Sequence, residues 1–364
     1  MTNCGTIKKK ENVFFSCGVE FNGKLYIASS QNNELFEYDC KTEQLRYITC
    51  FEKEKDVAYL YRIAIIYKEE AWFIPQLADN IAIVNLNTFK INYIPLNYKW
   101  LDDPVTLKCT AAGIYKEHYL YIIPYDIDSV MLIDMDTKNI RVLDIMKNHN
   151  EKYCDAYYYN DYLYCIPWMA EDILKINVET GETQQLEWKF GKKQYSQTVV
   201  DYEKAEVWFT PAGAINIVKL DLVKNEWFSF PFLKSIENDI ENYYGEIIGN
   251  KVFMFPFCSK KITAVNKNDL SICSYEYETE TNVVPFFKPL YGNKFYFVIE
   301  YTNDLLYYNE GKNCFESKKL DLNIDYAFKK MRYKKMQNQI AEDNVVKETG
   351  IIGLRHYIKN VLEE

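Results

Sequence analysis

Apolar and polar positions along this chain repeat one pattern seven times. In each repeat a short apolar-aromatic run stops at a strand-ending position, and an Asp or Asn follows ten residues later. The stops are Ser29, Pro75, Pro124, Pro167, Pro211, Pro256 and Ile299. Their partners are Asp39, Asn85, Asp134, Asn177, Asp221, Asn266 and Asn309. Proline suits a strand end because it has no amide proton for the ladder. Asp and Asn suit a turn because their short side chains bond backbone amides two residues on. Four units complete the turn with Thr42, Thr88, Thr137 and Thr180, whereas the last three keep only its first position.

Unit four shows what one repeat predicts. Tyr153 to Tyr159 reads as a first strand, Asn160-Asp161 as a tight turn and Tyr162 to Ile166 as a second strand stopped by Pro167. Ile173 to Asn177 reads as a third strand, and Thr183 to Trp188 follows the Glu179-Thr180-Gly181 turn as a fourth. Four short strands joined by hairpins make one propeller blade. Stops spaced 43 to 49 residues apart fall in the range of propellers and solenoids. A small residue also recurs eleven or twelve positions before the stop, at Gly18, Ala64, Ala112, Ala156 and Gly245, with Val199 and Lys288 as exceptions. Blades that converge on an axis need small side chains there, and closing the ring removes exposed sheet edges.

These hydrophobic-Asp-turn units resemble those of kelch-like seven-bladed β-propellers. They lack the paired glycines of kelch repeats and the Gly-His and Trp-Asp marks of WD repeats. The resemblance therefore implies architecture and no catalytic residue. The expectation is an all-β, seven-bladed β-propeller of four-stranded blades over residues 12–320, preceded by segment 1–11 and followed by a C-terminal helical tail at 321–364. In that tail, Ala327 to Glu342 and the Ile351/Leu354/Ile358/Val361 stripe read as helix. The stripes suit packing against the ring or docking a partner.

Composition narrows the partners. The 32 Tyr, 21 Phe and 6 Trp suit half-buried strand faces. A net charge of −9 gives no field for nucleic acid or anionic lipid. No run is long and apolar enough to span a membrane, and the N-terminus shows no export signal. A cytoplasmic protein with ten reduced cysteines is expected. The Lys, Asn, Ile and Tyr usage fits an AT-rich bacterial genome.

Candidate chemistry clusters where second strands end and inner strands begin, because in a propeller those loops share one face. The first set offers Gln76, Tyr125, Asp126, Trp168, Glu171, Asp172, Phe257 and Glu300. The second offers Arg62, Asp155, Gln197, Tyr243, Tyr244 and Lys288. The ligand-binding candidates drawn from these are Arg62, Tyr125, Asp126, Asp155, Trp168, Glu171, Gln197, Tyr243, Lys288 and Glu300. Rings and carboxylates mixed on a concave mouth suit a protein, peptide or glycan, although the same residues also serve as ordinary loop and blade packing. Trp168 has the same two readings, as binding anchor or blade cover. Asp155, Glu246 and Glu300 form a permissive oxygen set for a hard cation. Only three histidines exist, and none begins an inner strand. No nucleophile motif or phosphate-cradling glycine loop occurs, so no cofactor is expected. The leading expectation is a non-catalytic binding or scaffold propeller. The alternative is a propeller enzyme, a hydrolase, lyase or isomerase, using channel carboxylates with a divalent cation.

Overall fold

The structure is a computed structural model that describes residues 14–55, 57–96, 110–124, 129–145, 153–192, 194–231, 243–256, 261–277, 286–291, 296–300 and 303–320. Seven antiparallel four-stranded blades span 15–50, 61–95, 110–144, 153–187, 195–231, 243–276 and 286–319. The first strand of each blade is innermost and the fourth outermost. Inner strands neighbour one another from blade 7 through blade 1 to blade 6, and blade 6 meets blade 7 through its second strand. The predicted segment 1–11 and the tail at 321–364 lie outside the described residues.

Every blade is one contiguous stretch of chain, so no strand is shared across the junction of blades 7 and 1. That junction is stitched by backbone instead. The inner strand of blade 7 (Phe286–Tyr291) runs parallel to that of blade 1 (Phe15–Phe21), with Gly18 opposite Leu290 and Val19 opposite Tyr291. On the underside the Lys318 ammonium of blade 7 reaches the Glu43 carboxylate of blade 1.

The core lies between blades. Alternation along each strand sends one set of side chains to the preceding blade and the other to the following blade. Between blades 4 and 5, Tyr157, Ile166 and Trp188 meet Tyr195, Val207 and Phe209. Trp188 stands 5.5 Å from Phe209 and 6.0 Å from Trp227, ring centre to ring centre. At this junction the aromatic side chains serve blade-to-blade packing.

The Asp/Asn positions end the third strands and close the turns as their chemistry dictates. Asp39 Oδ1 accepts from the Lys41 and Thr42 amides, and Asn177 Oδ1 from the Glu179 and Thr180 amides, all at 2.9 Å. Four residues on, the chain enters the left-handed region at Glu43, Phe89, Lys138, Gly181, Asn225, Leu270 and Asn313. Only blade 4 has glycine there, and a β-carbon in that conformation costs about 1 kcal/mol. Leu270, at φ 59° and 39% exposed, carries a branched apolar side chain in this conformation. Leu270→Gly is expected to raise stability by about 1 kcal/mol in urea unfolding, and a loss of stability would overturn this account of the turn.

Sequence spacing misplaced the small inner position in three blades. Pairing across the hairpins puts Gly113 (not Ala112), Thr198 (not Val199) and Pro289 (not Lys288) level with Gly18, Ala64, Ala156 and Gly245. In blade 5 the cause is a hairpin loop two residues longer than in blade 4, since Asp201 pairs Glu206 whereas Tyr159 pairs Tyr162.

Candidate functional site at the mouth of the ring

Each inner strand begins against the end of its own second strand, as Tyr153 does against Pro167 and Tyr195 against Pro211. The inner-strand starts and the loops after the second strands therefore share one face, the mouth. In blades 1 to 5 the inner strand carries one extra residue at this end: Ser16, Arg62, Ala111, Cys154 and Ser196. Such bulges bend a strand and re-aim its side chains.

The residue after the bulge faces the next blade. Asp155 Oδ2 accepts from the Thr198 amide at 2.6 Å and from Thr198 Oγ1 at 2.8 Å. One blade further, Gln197 Oε1 accepts from the Gly245 amide at 3.4 Å. These acceptors cap amides on the inner edge of the following strand, which a lone sheet leaves unmet. The next two junctions differ in chemistry. Tyr244 holds the level position in blade 6, and its counterpart across the junction is Pro289, which has no amide proton. In blade 7 that position is Lys288, a residue type without an acceptor, and the backbone stitch to blade 1 stands there instead.

Burial pushes the Asp155 carboxyl up to about 6, against the opposing pull of the Thr198 donors and the Arg62 guanidinium of blade 2. Burial likewise pushes the Cys154 thiol upward, so it remains protonated and unsuited to nucleophilic attack. Glu246 rises to about 7 through burial, against bonds from the Tyr244 hydroxyl at 2.9 Å and the Ile247 amide at 3.2 Å. A carboxyl raised in the folded state holds a proton that the unfolded chain releases, so its contribution is present below the ordinary value of 4.5 and is lost as pH climbs toward 7. Glu246→Gln is expected to remove about 1–3 kcal/mol of that decline between pH 5 and pH 8, read from urea midpoints. An unchanged pH slope would show that Glu246 does not titrate in this range.

Of the candidates, Arg62, Asp155 and Gln197 stand at inner-strand starts, and Trp168 and Glu171 on the loop after Pro167. Trp168 is half-buried, and Glu171 is exposed and paired to Lys192 at 2.5 Å. Tyr125 and Asp126 lie outside the described residues. Tyr243, Lys288 and Glu300 are placed in their strands by backbone only. Among the described residues, no three His, Cys, Asp or Glu side chains converge as a metal site requires. The described cysteines, Cys17, Cys40, Cys50, Cys154, Cys165, Cys273 and Cys314, form no disulfide.

Sequence reasoning missed the exposed aliphatic side chains on the same loops. Leu77 and Met169 are each 37% exposed and Ile215 is 65% exposed. The loops of Leu77 and Ile215 are fixed by backbone. The Leu60 carbonyl accepts from the amides of Gln76, Leu77 and Ala78 at 2.7, 3.1 and 3.1 Å. The Gln194 carbonyl accepts from those of Ala212, Gly213 and Ala214 at 2.8, 3.3 and 3.2 Å.

The fold defines a seven-bladed β-propeller. No family model matches the chain, and no curated protein matches it in sequence. Solved structures do resemble it. Virginiamycin B lyase from Staphylococcus aureus, in a catalytically inactive form with quinupristin, is 14% identical with a TM-score of 0.61, covering 80% of this chain and 95% of that one. Hsv2 from Kluyveromyces lactis is 9% identical with a TM-score of 0.53, covering 85% and 99%. PorZ from Porphyromonas gingivalis is 11% identical with a TM-score of 0.62, covering 87% of this chain and 39% of that one. At these identities the likeness is one of fold alone. Among the described residues no helix is long and apolar enough to cross a membrane.

Proposed function

We propose that this chain is a non-catalytic binding propeller that takes a protein or peptide segment on its mouth face. The observation that carries this reading is the exposure of Leu77 and Ile215 on loops whose amides are already committed, with Met169 exposed beside Trp168. Apolar anchors on pre-ordered backbone bind without a large ordering cost. Aliphatic anchors favour peptide side chains over a glycan, which stacks best on exposed ring faces. Trp168 adds an aromatic flank to Met169.

The test is a phage-displayed peptide library panned on the protein, with a glycan array alongside. Peptides with an aliphatic anchor are expected. Ile215→Asp is expected to weaken a selected peptide at least about tenfold, as loss of an interface anchor does. Glycan hits without peptide hits, or full affinity in both Ile215→Asp and Trp168→Ala, would overturn the reading.

A second reading, a hydrolase, lyase or isomerase, is favoured by one observation. The raised Glu246 carboxyl is poised for proton transfer near neutral pH. Asp155, by contrast, is engaged in joining blades. Turnover in a substrate panel that vanishes in Glu246→Gln would favour the enzyme reading, and turnover that persists would remove Glu246 from it.

A further inference from the structure

The proposed contact residues belong to different blades, and the bulge on the inner strand of blade 4 lies between them. On its own blade, Cys154 Sγ donates to the Ile166 carbonyl at 3.6 Å, and Asp155 pairs Ile166, which leads through Pro167 into Trp168 and Met169. Toward blade 5, Cys154 Sγ also lies 3.6 Å from the Tyr195 carbonyl, and Asp155 takes both Thr198 donors. Tyr195 adjoins Gln194, whose carbonyl holds the three amides leading to Ile215. Two residues thus grip the roots of both loops.

We propose that Asp155, with Cys154 beside it, is a positioning residue that sets the spacing between the Trp168-Met169 loop and the Ile215 loop. The inference rests on the binding reading for its purpose, but the geometry it asserts is measurable without any ligand. A bond to a charged acceptor is stronger than one to a neutral group, so its removal should free the dependent loop selectively. Blade 2 supplies an internal reference, because the Leu60 carbonyl holds its loop in the same way.

Native-state hydrogen exchange of the free protein tests this. Asp155→Ala is expected to speed exchange of the Ala212, Gly213 and Ala214 amides by about tenfold. Exchange of the Gln76, Leu77 and Ala78 amides is expected to stay unchanged. Asp155→Asn keeps an acceptor oxygen and is expected to restore most of the protection. Thr198→Val removes only the hydroxyl half of the grip and is expected to give a smaller change confined to the same loop, which keeps the test open should Asp155→Ala not fold. Equal acceleration in both loops marks a merely structural loss and overturns the proposal, as does no acceleration in either, or failure of Asp155→Asn to restore protection. If exchange behaves as expected while the panned library yields no peptide, the positioning role stands and the binding reading fails.

Discussion

Lys267→Met is expected to destabilise the ring by about 3–5 kcal/mol, the usual cost of stranding one member of a buried ion pair. Lys267 Nζ lies 2.7 Å from Asp201 Oδ2, with only 7% and 4% of the two side chains exposed. Burial pulls the Asp201 carboxyl upward. Lys267, together with the Lys204 and Glu203 amides, overcomes that pull and holds it below its ordinary 3.8. A carboxyl depressed in the folded state stabilises above its unfolded value, and the benefit fades as pH falls through the folded one. The gap between wild type and Lys267→Met is therefore expected to narrow below about pH 4. Urea unfolding across pH reads this directly, and Asp201→Asn with Lys267→Met should recover part of the loss. Lys68→Met is the control: its pair with Asp136 spans blades 2 and 3 in solvent, and a change under about 1 kcal/mol is expected. Similar losses from both variants would contradict the role given to burial.

Gly245→Val is expected to cost about 2–3 kcal/mol through overpacking. A β-carbon on Gly245 would lie 2.4 Å from Val199 Cγ2 and 2.5 Å from Thr210 Cγ2 of the neighbouring blade. Both neighbours are β-branched and stiff about their first side-chain bond, so neither yields cheaply. Trimming them with Val199→Ala and Thr210→Ser should restore part of the stability. At Gly113 the nearest atom is the free end of Ile74, at 2.6 Å, and Gly113→Ala is expected to cost under about 1 kcal/mol. Thermal melts separate the two cases, and equal losses would show that close approach at the hub is not what fixes the small residue.

The comparison of sequence with structure turns on which features leave a local mark. Pro167 and Asn177 announce their strand ends because proline lacks a donor and asparagine bonds its own turn, so blade count and strand order were legible. The bulge at Cys154 has no such mark. One extra residue in an alternating strand shifts every later side chain to the opposite face, and nothing in Tyr153-Cys154-Asp155 distinguishes it from plain strand. Hairpin length in blade 5 was hidden for the same reason, which is why Val199 stood in for Thr198. At the mouth, Arg62, Asp155, Gln197, Trp168 and Glu171 could be placed from repeat position. Met169 and Ile215 could not be singled out, because an aliphatic residue in a loop reads as packing until its exposure is known. The tethering by Asp155 and Gln197 was likewise invisible, since a polar residue at a channel mouth suggests a ligand before it suggests the next strand's amide.

Contiguity of the blades bears on how the molecule is made. Each sheet needs only its own thirty-odd residues, so a growing polypeptide can finish one hairpin set before the next emerges from the ribosome. Among the described residues, the meeting of Gly18-Val19 with Leu290-Tyr291, and of Glu43 with Lys318, must await the synthesis of blade 7. Until then the nascent product is an arc whose first blade still shows a bare flank.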